Sequence, residues 1–156
     1  GKTMLLECHY VLECLAPSRL HADRFLPPTA FRVVVDHKGV DHSDDPALLN
    51  ATIEPGRPRK LVSQQVFRQE ILPSMLKTAE KIISGQARLQ IRDAERNAKH
   101  SLTAELERLE DLKQRNSHIP PSEIKDLTHF RDELCKLIGQ SRLRLDAIRL
   151  IWRAPG

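Results

Sequence analysis

The densest group of side chains that could do chemistry lies between residues 36 and 45. It contains two histidines and four carboxylates: Asp36, His37, Asp41, His42, Asp44 and Asp45. Imidazoles and carboxylates bind divalent ions and act as general acids and bases, so an independent enzyme could use His37, Asp41 and His42. The same residue types are typical of tight exposed turns, and no recognised metal-ligand spacing is present. We therefore favour a turn over a metal or catalytic site.

A second set of candidates is a series of cations between residues 77 and 99, which we call the basic strip. It consists of Lys77, Lys81, Arg88, Arg92, Arg96 and Lys99. At about 100° per residue these side chains project within roughly a third of a helix circumference. Such a surface could contact phosphates or an acidic protein. The alternative is a solvated face with local ion pairs from Asp93 or Glu95, and it is favoured because acids crowd the same helix further on.

The cations must be carried by a long helix, which the apolar pattern predicts over residues 73–115. Its apolar positions recur in steps of three and four: Ile83, Ala87, Ile91, Ala94, Ala98, Leu102, Leu106, Leu109 and Leu112. A second stripe follows a break at Ile119-Pro120-Pro121, at Ile124, Leu127, Phe130, Leu134, Leu137 and Ile138. Two amphipathic helices joined by a short turn are expected to form an antiparallel hairpin.

Alternation and β-branched residues predict strands at residues 4–15 and 31–36, with a return strand or loop at residues 40–43. Residues 145–153 read as a last strand paired with the first, although helical spacing also fits them, and Trp152 is predicted to lie in the core. Residues 59–72 are predicted to form a helix buried between sheet and hairpin. The fold class is therefore α+β: a small antiparallel sheet, a helix and a long antiparallel helical hairpin.

Composition indicates one globular domain of 156 residues, with 40% apolar and 29% charged residues. We expect a sheet part at about residues 3–58 and 144–153 and a helical part at about residues 59–141. A net charge of +4 permits contact with nucleic acid or an acidic surface without requiring it. No apolar run approaches the ~18 residues of a membrane span, so no membrane contact is expected.

The cysteines indicate a reducing compartment, the cytoplasm. There are three, Cys8, Cys14 and Cys135, an odd number without regular spacing. Cys8 and Cys14 would share a strand face at a separation of ~20 Å, too far to bridge or to share an ion. All three are predicted to pack as small buried hydrophobic residues.

Specific runs of sequence occur in order along nearly the whole chain. They are residues 10–13 (Tyr-Val-Leu-Glu), 16–17, 24–29 (Arg-Phe-Leu-Pro-Pro-Thr), the strand ending at Asp36 and Gly39, 60–62, 102–110 and 144–151 (Arg-Leu-Asp-Ala-Ile-Arg-Leu-Ile). Together they resemble the C-terminal region of the RapA (HepA) family, bacterial RNA-polymerase-associated ATPases of the Swi/Snf helicase-like class. Residues 24–29 and 144–151 are the specific parts of this resemblance.

The resemblance implies a parent protein that binds RNA polymerase and uses ATP hydrolysis to recycle it, with both ATPase lobes upstream. No residue here matches a phosphate-binding loop, a magnesium-binding motif or an arginine finger, so no catalytic, cofactor or metal residue is expected; ATP and Mg²⁺ belong to the parent. We expect a non-catalytic interaction or regulatory domain in transcription, with the rest of the parent ATPase and core RNA polymerase as partners. The alternative is a module that binds DNA or RNA through the basic strip.

Overall fold

The computed structural model describes residues 3–52, 54–57 and 59–153. It confirms the α+β fold: a three-stranded antiparallel sheet combined with a long helix and a second helix. The strands are β1 (Thr3–Glu13), β2 (Thr29–Asp36) and β3 (Arg142–Arg153). Their order is β2-β1-β3, so the first strand is central and the last strand pairs with it, as the sequence predicts.

Helices make up most of the remaining chain. They are α1 (Pro46–Leu49), α2 (Arg59–Val62), α3 (Leu72–Arg115) and α4 (Pro121–Gly139), with a π-helical segment (Phe67–Ile71) directly before α3 and two 3-10 turns (Ser18–Leu20 and Ala22–Arg24) after β1. Pro121 stands at the start of α4, where its missing N–H and fixed φ suit the first turn. Among the described residues, no helix has the length and apolar character to cross a membrane.

The chain forms two compact units, each assembled from stretches that are separated in sequence. The first unit contains residues 1–11, 30–86 and 144–156, and the second contains residues 12–29 and 87–143. The backbone therefore passes from one unit to the other at four places, which lie inside β1, β2, α3 and β3. The single domain expected from the sequence stays a prediction.

In the first unit, both faces of the sheet are partly covered. On one face Leu5, Val34, Leu48 and Ile151 form a buried cluster, so α1 covers this face. On the other face, Met4 of β1 lines a cavity together with Ser74 of α3, which places the start of α3 on that side. Both faces of β1 are therefore apolar at its beginning.

In the second unit, α3 and α4 form the predicted antiparallel hairpin. Arg131 of α4 donates to the Thr103 hydroxyl at 3.3 Å, while Gly139 lies beside the Glu95 carboxylate, so the two helices run in opposite directions. The connection after β1 packs on the hairpin through a hydrogen bond of 2.7 Å from Arg19 to Glu133. The apolar contact between the two helices, which we call the seam, contains buried residues from both. They are Ala87, Ala94, Ala98, Leu102 and Leu106 of α3 and Leu134 and Ile138 of α4.

Four packing predictions are wrong. Leu112, at the end of the expected seam, is 47% exposed, because α3 ends three residues later and α4 begins only at Pro121. Residues 59–72 do not form one buried helix, and among their apolar residues only Phe67 is buried. Val62 and Val66 are exposed, since a helix at the surface buries one side only.

The third wrong prediction concerns Trp152, which is 54% exposed because its strand lies at the edge of the sheet. The fourth concerns two of the cysteines. Cys8 is buried as predicted, whereas Cys14 and Cys135 are partly exposed. Cys14 falls just beyond the end of β1, and its thiol donates to the Leu137 carbonyl at 3.5 Å.

Candidate functional site

The acid and histidine group at residues 36–45 forms the turn that follows β2. Asp36 Oδ1 accepts hydrogen bonds of 2.9 Å from the N–H groups of Lys38 and Val40, and Oδ2 pairs with His42 Nε2 at 2.8 Å. Gly39 adopts a φ of 83°, which favours glycine, and the chain returns in one bridge between Val35 and Asp41. Burial raises the pKa of Asp36, but the hydrogen bonds outweigh it and hold the pKa below its ordinary value.

Two other acids of this group, Asp41 and Asp45, also accept hydrogen bonds from the local backbone. Asp41 Oδ1 accepts from the N–H of Ser43 at 2.9 Å. Asp45 caps α1 by accepting from the N–H of Ala47 at 2.9 Å and pairs with Arg153, and these contacts lower its pKa. Within the described ranges, no three His, Cys, Asp or Glu side chains are grouped so that they could hold a metal ion. The hydrogen bonds therefore account for Asp36, Asp41, His42 and Asp45 as residues that stabilise a turn and a helix cap.

The basic strip lies on the surface of α3. All six side chains are exposed; Lys77 and Lys81 belong to the first unit, and the other four cations belong to the second. Arg96 forms an exposed pair with Asp93 at 3.5 Å, one of the local pairs expected from the sequence. Glu95 is partly buried against Gly139 of α4. Whether the strip binds anything stays a prediction.

A buried ion-pair cluster that sequence reasoning missed lies at the centre of the sheet. Glu7 of β1 is only 3% exposed. Its Oε1 accepts from Arg149 of β3 at 2.9 Å and pairs with His9 Nε2 at 3.0 Å, and its Oε2 accepts from Arg32 of β2 at 2.8 Å. Burial raises the pKa of Glu7, yet the hydrogen bonds from His9, Arg32 and Arg149 bring it below its ordinary value. The carboxylate therefore stays ionised and links all three strands.

An open cavity of about 700 Å³ adjoins this cluster within the first unit. Its walls are formed by Glu7, His9, Arg32, Leu48, Leu49, Ala51, Ala147, Ile148 and Arg149. Two guanidinium groups face one carboxylate there, so the cavity carries excess positive charge. The Arg149 side chain is 49% exposed and the Arg32 side chain 27%. An anionic group can thus approach Arg149 more easily than Arg32.

The outer strand of the sheet, β3, is exposed along its middle. Residues 144–149 are exposed without interruption, and they include Leu145 and Ile148, with 44% and 46% of their surface open. Successive side chains of a strand point to opposite faces, so neither face of β3 is covered there. The one signal in the sequence is the density of arginines in this strand, which contains Arg142, Arg144, Arg149 and Arg153.

Comparison with known proteins places the chain in a family. The model of the family described as RNA polymerase recycling family, C-terminal, matches residues 1–153. The chain therefore belongs to this family, and the resemblance inferred from residues 24–29 and 144–151 is confirmed.

The relatives carry a particular name. The chain is 40% identical to the RNA polymerase-associated protein RapA of Yersinia enterocolitica over 155 residues, which is 96% of this chain and 16% of the relative. It is 39% identical to the proteins of the same name from Yersinia pestis and Yersinia pseudotuberculosis, with the same coverage. The chain thus spans about one sixth of the length of the curated relatives it matches.

Proposed function

We propose that this chain is a non-catalytic interaction or regulatory domain of a larger, RapA-like ATPase that recycles RNA polymerase. Its partners would be core RNA polymerase and the remainder of the parent, and its compartment the cytoplasm. ATP and Mg²⁺ would bind in the parent outside this chain, which itself would need no cofactor. Membership of the recycling family and the name of the RapA relatives support the proposal.

The structural observation that carries the proposal is the exposure of the basic strip on a long, continuous helix. Within the second unit, Arg88, Arg92, Arg96 and Lys99 project from the surface of α3, and the same part of the helix is held by its buried seam with α4. The exposed Arg96–Asp93 pair contributes about 0–1 kcal/mol and does not fix Arg96 in place. A rigid row of cations suits an acidic protein surface, because complementary charge fixes orientation and speeds encounter.

A second candidate is a nucleic-acid-binding module that uses the same row. The spacing favours it, since cations three or four residues apart rise about 4.5–6 Å along a helix and can contact successive phosphates of one backbone. A phosphate-binding surface differs from a protein-binding surface in its salt dependence. For duplex DNA, the logarithm of affinity falls with the logarithm of salt concentration by roughly 0.9 per neutralised phosphate.

The test is to measure binding of the 156-residue chain to core RNA polymerase at low and moderate salt, with duplex and single-stranded DNA as parallel ligands. The variant replaces Arg88, Arg92, Arg96 and Lys99 with glutamine. A matched control replaces four other exposed cations of the second unit, Arg108, Arg115, Lys125 and Lys136, with glutamine. Both variants lose four charges, so a difference between them reports position rather than net charge.

If the chain binds polymerase, and the strip variant binds more weakly while the control variant binds as tightly as the unmodified chain, the interaction domain is supported. Binding to DNA with a steep salt slope, reduced by roughly one per cation removed, would support the nucleic-acid module instead. Equal loss in both variants would show that only net charge matters. Binding to neither ligand would overturn both proposals and leave a domain that acts only on the rest of its parent.

A further inference from the structure

The free side of β3 has the features of a site for strand addition. β3 is twelve residues long, and within the described part of the chain it has a neighbour, β1, on one side only. The backbone N–H and C=O groups that point away from β1 therefore lack a partner strand, and an added strand can hydrogen-bond to them. Typical strands have about 5–6 residues, so this edge is unusually long.

The middle of β3 also offers side chains that an added strand could cover. Residues 144–149 are exposed on both faces, as described above, and Ile148 and Leu145 supply apolar surface. Residues directly opposite in neighbouring strands bring their Cβ atoms to about 4.5–5.5 Å, so a fourth strand would bury part of both side chains. Neither proline nor lysine, two residues that commonly block edges, occurs in this strand.

The charge of β3 selects the type of segment that can bind. The strand contains four arginines, Arg142, Arg144, Arg149 and Arg153, and one acid, Asp146. Edge pairing between two copies would bring eight arginines together, and like charges opposite each other destabilise a sheet. An acidic segment meets the opposite situation. Three of the four arginines already pair with the carboxylates of Asp146, Glu7 and Asp45, but Arg32 also contacts Glu7, so guanidinium groups still outnumber these carboxylates.

Arg149 adds a specific anchor for one acidic side chain. Its contact with Glu7 uses one of its five N–H donors, and half of its side chain is exposed beside the cavity lined by Glu7 and Ile148. A carboxylate on the same face of an added strand can reach the remaining donors at the mouth of this cavity. The single negative charge of Glu7 neutralises only one of the two guanidinium charges there. A second carboxylate would therefore be attracted to this site.

We propose that the exposed edge of β3, centred on residues 144–149, binds an extended acidic segment of a partner protein as a fourth strand of the sheet. This site is separate from the basic strip, and it holds or fails independently of binding through α3.

The probe is a synthetic eight-residue peptide of alternating glutamate and valine, added to the 156-residue chain. We expect saturable binding by fluorescence anisotropy that weakens with salt, together with slower hydrogen exchange at amides of residues 144–149. A second peptide of equal length and charge, in which the valines are replaced by proline, cannot donate backbone hydrogen bonds from those positions. It should bind at least tenfold more weakly. Equal binding of the two peptides, or unchanged exchange in β3, would overturn strand addition.

Substitution of the protein provides an independent check. Ile148→Asp places a negative charge at the centre of the edge and should weaken peptide binding by about tenfold or more. The matched control is Leu89→Asp, which makes the same charge change at an apolar residue that is 62% exposed on α3. Circular dichroism and thermal unfolding verify that both variants fold; the proline peptide test on the unmodified chain does not depend on them. Equal weakening by both variants would contradict the proposed site.

Two further measurements test whether the edge of β3 is instead occupied by a second copy of the chain or by another segment of the parent protein. Sedimentation velocity without peptide should give a monomer; a dimer that Ile148→Asp dissociates would assign the edge to a second copy. Hydrogen exchange in the full-length parent protein should still show fast exchange at residues 144–149. Strong protection there without any peptide would assign the edge to another segment of the parent and overturn the partner-protein proposal.

Discussion

Glu7 and Arg149 form an ion pair of 2.9 Å across the boundary between the first and the last strand of the chain. The carboxylate is almost completely buried, whereas half of the arginine side chain faces solvent. With Arg32 on the other side, the pair ties the central strand to both neighbours at one level of the sheet. If Glu7 loses its charge, the guanidinium groups of Arg32 and Arg149 both lose an ion-pair partner.

We therefore predict that Glu7→Gln destabilises the protein by about 2 kcal/mol. Breaking a fully buried pair costs about 3–5 kcal/mol, and the exposure of Arg149 lowers that figure. The control is Asp146→Asn, which removes the exposed Arg144–Asp146 pair of 2.9 Å and should change stability by less than about 0.5 kcal/mol. Urea unfolding followed by circular dichroism measures both. Equal effects of the two substitutions would contradict the importance of the buried cluster.

The pKa of Glu7 gives a prediction for the effect of pH. Its folded-state pKa lies below the ordinary value of 4.5, so the folded protein binds this proton less readily than the unfolded chain does. The resulting stabilisation is complete above the ordinary value and is lost as pH falls through the lowered pKa. The free energy of unfolding should thus decrease from pH 6 to pH 3, and less steeply in Glu7→Gln. If the free energy of unfolding falls equally steeply with decreasing pH in the unmodified protein and in Glu7→Gln, Glu7 is not the group responsible.

The seam between α3 and α4 makes Leu102 a sensitive position. This side chain is 2% exposed, so Leu102→Asp buries a charge and should reduce stability by about 3–5 kcal/mol. Leu89→Asp on the exposed surface of the same helix is the comparison and should cost less than about 1 kcal/mol. Thermal unfolding distinguishes them, and an unchanged midpoint for Leu102→Asp would mean that the opposite helix face is buried.

The three thiols should differ in reactivity. Cys8 is fully buried, and burial, helped by the charge of Glu7, raises its pKa to about 11. At pH 8 iodoacetamide should therefore modify Cys8 only after unfolding, because the thiolate is the reactive form. Cys14 and Cys135 are partly exposed and should react in the folded protein, Cys135 slowly because burial also raises its pKa. Peptide mass mapping over time measures each rate; rapid labelling of Cys8 would show that β1 is accessible.

Elements with a strong periodic pattern were predictable. The alternation of residues 4–15 and the steps of three and four along α3 and α4 identified the central strand and the hairpin. The two helices each bury one face, and the even-numbered residues of β1 are apolar and buried along most of its length. The last strand was harder, since residues 145–153 fit both periods. Pairing with β1 settles its identity, and that partner lies more than a hundred residues away in sequence.

The features that were missed depend on contacts between distant parts of the chain. A glutamate in an alternating strand normally faces water; Glu7 is buried only because Arg32 and Arg149 arrive from two other strands. Trp152 is a large apolar residue of the kind that usually lies in a core, but its strand lies at a sheet edge that the described chain does not cover. Neither outcome is encoded by local spacing. The basic strip, in contrast, required only the helical period to place it on one surface.

The alternation of the backbone between the two compact units has a consequence for genetic dissection. Each unit is a patchwork of segments, so no contiguous piece of the gene encodes either of them. A deletion series that shortens the chain from one end would remove a strand or helix shared by both units. Loss of binding in such truncations would then report unfolding rather than the location of a partner site, and point substitutions on intact protein are the sound way to map its surfaces.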